Sequence, residues 1–373
     1  LTTFRDLAVI GRRLAEPPTG VGRYLECLLR HWASLDHPFE RIRVLTPAPP
    51  QLPGELFGDR VQLEVIPQRV SPLYWENVQL PSAIGREALI FAPYTLPWTR
   101  ADQGVVSNLG IYASRPGDFP LLARLRTEPF FKHSARRARR VIANSTSTKN
   151  DVVEYLGADP AKTDVVLLGA DERLRPAGED ESLPPDVADR YEVGSAAFFL
   201  LVGKLSKRRN IPLLIEALAS AGDLPEKLLI IGPDYLGLDP VGVARSKGVG
   251  GRVVHKPHAP MEDLAHLYRA ATTFVLPTEH EGFSLTIPEA MASGTPAIVF
   301  DHAALEGPVR EAAEVVTPAT AGALAEALRR ASSDGKWRAE RRTAGLEAAK
   351  SYRWEETARR TMEILAEASR LPS

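Results

Sequence analysis

The sequence offers little to covalent cross-linking, to long-range electrostatics or to a lipid bilayer. A single cysteine, Cys27, occurs in 373 residues, which excludes an internal disulfide and fits a reducing compartment. Tyr24, Leu28 and Leu29 surround Cys27 in a helical pattern, so a buried thiol is expected rather than a nucleophile. Charge of either sign is not in excess: the formal net charge is -1, which argues against nucleic acid as the main partner. No apolar run reaches the length of about 18 residues that marks a membrane span, and no signal-peptide pattern is present. The chain does not begin with Met, and a cytoplasmic location is the expectation. Asp-x-Asp beside a strand is missing, and the histidines are scattered without metal-ligand spacing, so no metal and no tightly bound cofactor are expected. Internal repeats and low-complexity tracts are absent despite 31 prolines.

What is present is an alternation of short apolar runs with helical patterns. At this length two domains are expected, each with an ample core. Runs near 7–10, 42–45, 61–66, 89–91, 105–107, 141–143 and 165–168 read as strands of a first, largely parallel α/β domain over 1–173. Residues 174–195 lose periodicity and gain proline and acid, and read as a linker; the Glu179-Asp180-Glu181 run there reads as solvent-exposed. A second series, near 197–202, 227–231, 252–255, 273–276, 297–300 and 313–316, forms a second domain over 196–351. Two Rossmann-like halves of this kind would face a central cleft.

The most informative stretch is 275–300, where Glu281 and Glu289 stand seven residues apart between two strand-like runs. The pattern predicts a strand to Leu276, a loop over 277–286, a helix over 287–293 and a strand from Ala297 to Phe300. In an open parallel sheet, ligands bind outside the carboxyl ends of the strands, so both glutamates would face that crevice. A carboxylate accepts two hydroxyl hydrogen bonds, which suits it to vicinal diols. For Glu289 a local reading stands beside the functional one: Thr286-Ile-Pro-Glu289 is also a capping box, with Thr286 as N-cap. Thr19-Gly20-Val21-Gly22-Arg23-Tyr24 follows the first strand, and its glycines can bring backbone N–H groups close to a phosphate. It lacks the third glycine of a dinucleotide fingerprint, and no acid ends the second strand, so an NAD reading loses ground. In Val202-Gly203-Lys204-Leu205-Ser206-Lys207-Arg208-Arg209-Asn210 a strand-to-helix turn carries four cations that could neutralise a leaving diphosphate.

The stretch from Glu281 to Val299 resembles the E-G-F-G-L-P-x-x-E-A-M-A-x-G-x-P-V-V motif of the retaining glycosyltransferases of family four, departing from it at Ser284, Thr286 and Ala297. The resemblance extends over nearly the whole chain and implies the GT-B fold. It implies that Glu281 contacts the donor sugar and Glu289 the ribose of the nucleotide, with Ser284, Leu285 and Thr286 on the donor-binding turn between them. Gly20 and Gly22 match a T-G-I-G-R-Y segment near the donor diphosphate. Lys204 and Arg209 match the cations of V-G-R-L-x-x-x-K-N with the two exchanged, which keeps the charge and moves the guanidinium fork. Lys207 and Arg208 read as solvated. Trp75-Glu76, Leu80-Pro81 and the run from Phe91 to Pro97 also match the family. Where many relatives carry a His-Asp pair that helps hold the donor sugar, this chain has Asn108 and Leu109. Asn108 can donate and accept hydrogen bonds but cannot titrate.

The resemblance implies transfer of a hexose from a nucleotide diphosphate sugar to a hydroxyl of a glycan, lipid-linked saccharide or small natural product. Asn108 and Leu109 keep open a degenerate binding or scaffold subunit, and a sugar-nucleotide epimerase would use the same donor. On the acceptor side, residues 119–140 interleave apolar and basic residues. This segment reads either as a peripheral contact with the inner face of an anionic membrane or as a helix whose arginines face water. The amphipathic segment from Tyr352 to Arg370 corresponds to a helix that, in the family, crosses back onto the N-terminal domain, so 352–373 is expected to pack there.

Overall fold

A computed structural model describes residues 4–16, 19–50, 52, 56–110, 121–178, 181–222 and 224–371, with the side chains of 121–124 excepted. The chain divides into two compact units, Leu1–Leu168 with Trp354–Ser373, and Gly169–Arg353.

The first unit holds seven strands: β1 (Asp6–Ile10), β2 (Arg41–Thr46), β3 (Val61–Val65), β4 (Ala88–Pro93), β5 (Gly104–Asn108), β6 (Arg140–Ala143) and β7 (Thr163–Val165). They pair in the order β3-β2-β1-β4-β5-β6-β7, every neighbour parallel. Apolar runs such as Leu-Ala-Val-Ile in β1 and Ala-Leu-Ile-Phe-Ala in β4 are buried throughout, as a sheet covered on both faces requires. The helix Gly20–Trp32 buries Tyr24, Leu25, Leu28, Leu29 and Trp32, a one-sided stripe at helical spacing. Cys27 lies off that stripe and is half-buried, not buried as its neighbours suggested. Trp32 meets Phe91 edge-on at 5.7 Å and donates its indole N–H to the Ala358 carbonyl at 3.0 Å, which seats the helix Trp354–Arg370.

In the stretch 119–140, residues 119 and 120 and the side chains of 121–124 lie outside the described residues. The remainder forms the end of the helix Leu121–Arg137 and enters β6. Its cations are largely held internally. Arg139 is buried on the carbonyls of Ala368 and Leu371, Arg140 forks onto Asp164, and Lys132 pairs with Glu128.

The second unit holds β8 (Phe198–Val202), β9 (Lys227–Ile231), β10 (Val253–Lys256), β11 (Thr273–Leu276), β12 (Ala297–Phe300) and β13 (Glu314–Val316) in the parallel order β10-β9-β8-β11-β12-β13. Each sheet is thus doubly wound. The strand order reverses between β1 and β4 in one unit and between β8 and β11 in the other, and such switch points open a crevice at the carboxyl ends. The stretch expected as a linker, 174–195, lies in the second unit and contains a short helix, Pro185–Arg190. Arg190 and Tyr191 both bond the buried Asp263 carboxylate, at 2.5 and 2.9 Å. Glu181 joins Arg175 and Arg269, whereas Glu179 and Asp180 lie outside the described residues.

Candidate active site

The chain leaves β8 through Gly203, whose φ of +129° few other residues adopt; a Cβ there would stand 2.0 Å from Arg209 Nη1. The missing side chain lets the Arg209 guanidinium fold back on the strand end, where Nη1 donates to the Val202 carbonyl at 2.9 Å. Lys207–Arg209 form one 3-10 turn, closed by Asn210 in the left-handed region. The Asn210 amide donates to the Pro277 carbonyl at 3.1 Å and to Glu279 Oε1 at 3.0 Å. That contact binds the loop after β8 to the loop after β11, across the switch point.

Glu281 sits on the second of these loops, 4% exposed, between two guanidinium groups. Arg208 Nη2 donates to Oε2 at 3.1 Å, and its Nε donates to the His280 carbonyl at 3.1 Å. Arg209 Nη2 stands 3.1 Å from Oε1, at ion-pair distance but off hydrogen-bonding alignment. Arg208, expected to be solvated, is therefore part of the site, while Lys207 is exposed as expected. Lys204 is exposed, its ammonium 4.9 Å from the centre of the Tyr235 ring.

The helix that follows runs from Thr286 to Ala292. Thr286 is its first helical residue, not its N-cap. Its hydroxyl has no partner among the described residues, and the position before it, Leu285, makes no side-chain cap. The capping-box reading of Glu289 is thereby overturned, because the turn begins one residue early, with Ile287 N bonded to the Ser284 carbonyl and Glu289 N to that of Leu285. Glu289 is buried and accepts the Tyr268 hydroxyl at 3.3 Å.

A further residue at this edge, His302, was not singled out by the sequence. It follows β12, is buried, and brings Nε2 to 3.5 Å from Ser284 Oγ, while its Nδ1 has no partner among the described residues. Burial holds its imidazole below the ordinary histidine range, opposed by the negative charge of Glu281 and Asp301. Asp301 is engaged by Arg310.

In the first unit, Gly20 opens its helix and Thr19 is the N-cap, accepting the Gly22 N–H at 3.1 Å. A Cβ on Gly22 would approach the Arg13 carbonyl to 2.9 Å, so this glycine serves close packing, and its N–H is already bonded. Glu76, of the Trp75-Glu76 pair, bonds Arg12 at 2.8 Å and Thr95 at 3.2 Å. Asn108 ends β5, 1% exposed, and neither atom of its amide finds a partner among the described residues. Burying such a group unsatisfied costs about 1–3 kcal/mol, which marks it as a place a ligand could complete. Among the described residues no three His, Cys, Asp or Glu side chains cluster to hold a metal ion. No helix among them is long and apolar enough to cross a membrane.

Residues 189–350, which carry β8 to β13, match the family model described as Glycosyl transferases group 1. This chain contains a glycosyltransferase group 1 domain. The chain is 32% identical over 185 residues to the D-inositol 3-phosphate glycosyltransferase of Rhodococcus erythropolis, a match covering 46% of this chain and 40% of the relative. The chain thus spans well under two thirds of that relative's length. The fold is GT-B. Sucrose-phosphate synthase from Thermosynechococcus elongatus superposes with a TM-score of 0.76 at 20% identity, covering 97% of this chain and 98% of the other. Anabaena Alr3699/HepE in complex with UDP-glucose superposes with a TM-score of 0.71 at 19% identity, covering 96% and 98%. Glu281, Glu289, Lys204 and Arg209 all lie inside the glycosyltransferase group 1 domain, and Gly20, Gly22 and Asn108 lie outside it.

Proposed function

We propose that this protein is a retaining, metal-independent glycosyltransferase that moves a hexose from a nucleotide diphosphate sugar to a hydroxyl of a glycan, lipid-linked saccharide or natural-product acceptor. The observation that carries the reading is Glu281, held by Arg208 and Arg209 at the β8/β11 switch point inside the glycosyltransferase group 1 domain. A buried carboxylate fixed by two cations is an oriented acceptor for sugar hydroxyls, and the cations beside it suit a diphosphate. The UDP-glucose in the complex of HepE, a protein of the same fold, is consistent with a nucleotide-sugar donor.

In this reading Glu281 orients the donor sugar and Glu289 the ribose, while Lys204 and Arg209 meet the diphosphate charge. The bond from the anomeric carbon to the diphosphate breaks, the acceptor oxygen bonds the same face of that carbon, and the acceptor proton passes to the leaving diphosphate oxygen. No protein base is required, which fits an asparagine at position 108; its amide, without a partner among the described residues, would hold a substrate hydroxyl. Trp98 and Leu125, both exposed, suit a lipid-linked acceptor, and binding to anionic vesicles, weakened by salt, is the check.

Asn108 also favours a second reading, a binding subunit without turnover. Thermal unfolding with UDP, GDP, TDP, ADP and NAD, each in chelator, separates the readings. A nucleoside diphosphate at about a hundred times its dissociation constant stabilises by about 2.7 kcal/mol. A shift with one diphosphate, followed by sugar transfer to acceptor from the matching donor, supports the transferase. Binding without transfer supports the subunit, conversion of the donor sugar without acceptor supports an epimerase, and a shift with NAD alone overturns all three.

A further inference from the structure

The second unit has a cavity of about 450 Å³ at the amino ends of its central strands, the end opposite the candidate active site. Ala197, Thr272 and Pro296, which precede β8, β11 and β12, form its floor, whereas Gly203, Glu281 and His302 follow those same parallel strands. The rim carries Glu226, Arg269, Arg338 and Arg342.

The charges on this rim are unevenly matched. Arg269 is met by Glu181 at 3.0 Å. Arg338 gives Nη1 to the carbonyls of Ala331 and Ser332, at 2.6 and 2.8 Å, and pairs with no carboxylate among the described residues. Arg342, one turn further along the helix Gly335–Ala349, is half-buried and makes no hydrogen bond or ion pair among the described residues; its guanidinium packs on Gly294, where a Cβ would stand 3.1 Å from Cζ. Glu226 is 2% exposed, accepts Ser332 Oγ at 2.9 Å and has no cation partner among the described residues.

Two guanidinium groups on one helix face, both without an acid, form a fork for an anion of two charges. A buried carboxylate on the same cavity repels a bare anion but accepts a hydroxyl. We propose that this cavity binds the phosphate monoester of a sugar or small polyol, the phosphate on Arg338 and Arg342 and a hydroxyl on Glu226. Lining residues as small as Ala197, Thr272 and Pro296, in a cavity of about 450 Å³, leave room for a ring of hexose size.

The test is calorimetric titration of the full chain with glucose 6-phosphate and with inorganic phosphate. Glucose 6-phosphate is expected to bind more tightly than phosphate. Arg342→Gln removes no existing bond, so the fold is expected to persist, and it should weaken both ligands by about tenfold or more. Arg342→Lys, keeping the charge without the fork, should fall between wild type and Arg342→Gln. Glu226→Gln should narrow the difference between the two ligands. No binding up to about 10 mM overturns the site, as does unchanged affinity in Arg342→Gln. Equal affinity of the wild type for the two ligands overturns the hydroxyl assignment.

Discussion

Arg208 donates to Glu281 Oε2 at 3.1 Å from a turn in which its neighbour Arg209 takes the other carboxylate oxygen. One carboxylate is thereby clamped by two consecutive residues. Consecutive side chains diverge by about 120° in a 3-10 turn, so the two guanidinium groups reach Glu281 from different directions, Arg208 beside the His280 carbonyl and Arg209 folded back on the Val202 carbonyl.

Arg208→Gln is expected to free one edge of Glu281 while leaving Arg209 in place. Loss of this charge-assisted bond should cost about 1–3 kcal/mol of stability and lower kcat/KM for the donor by about tenfold or more. Arg208→Lys, which keeps the charge but lacks the Nε and Nη2 fork that reaches the His280 carbonyl and Glu281, should recover only part of both. Urea unfolding and initial rates check this, and wild-type kinetics in Arg208→Gln would remove Arg208 from the site.

Glu281→Gln keeps the shape of the side chain but not its charge. Turnover with donor and acceptor should fall by about 100-fold or more. Far-UV circular dichroism should remain that of the wild type. A loss of turnover that merely follows unfolding, or none at all, would contradict the assigned role.

Gly203→Ala tests the turn itself. The φ of +129° and the 2.0 Å approach to Arg209 Nη1 leave no room for a methyl group, so the guanidinium must leave the Val202 carbonyl. Backbone strain alone is expected to cost about 1–3 kcal/mol. Gly194→Ala, in the same unit at φ +57° with nothing within 4 Å, is the comparison for strain without collision. Only the first substitution should also weaken diphosphate binding in a thermal-shift titration.

His302 sets a pH dependence whose sign follows from its burial. Its folded pKa lies below the unfolded value of about 6.5, so the unfolded chain takes up the proton first and stability falls as pH drops below that value. His302→Gln should abolish this share, and the free-energy difference between wild type and variant should therefore change between about pH 7.5 and 5.5, in the direction that penalises the wild type in acid. Urea denaturation at a series of pH values reads it, and a constant difference would show that His302 titrates alike in both states.

The two sheets were legible because most of their strands are short, largely apolar runs bounded by polar turns, and 12 of the 13 lie within two residues of where hydrophobicity places them. The last strand of the first sheet is the exception: β7 is Thr163–Val165 and not 165–168, since Thr163 pairs with Val141 while the Leu167 carbonyl accepts the Thr357 hydroxyl. Glu281 and Arg209 were legible as a motif, but which of three adjacent cations turns inward is a matter of turn geometry. Pattern treated Arg208 and Lys207 alike, and only the 3-10 turn separates them. Thr286 illustrates a similar ambiguity, a residue chemically fit to cap that becomes the first helical residue instead. His302 left no local signal, because its neighbour Ser284 is eighteen positions away.

The first unit is assembled from two separated lengths of chain, and the second from one continuous run. Synthesis proceeds from the amino end, so Gly169–Arg353 is complete while Trp32 still lacks the Ala358 carbonyl that its indole requires. Trp32 can already meet Phe91 of β4, but its indole N–H stays without the Ala358 carbonyl until the helix Trp354–Arg370 is made. The same connectivity makes the second unit an insert with two junctions, at 168–169 and 353–354, so it can be exchanged as a single cassette between related chains, whereas the first cannot be expressed as an uninterrupted fragment without losing the helix that covers Trp32.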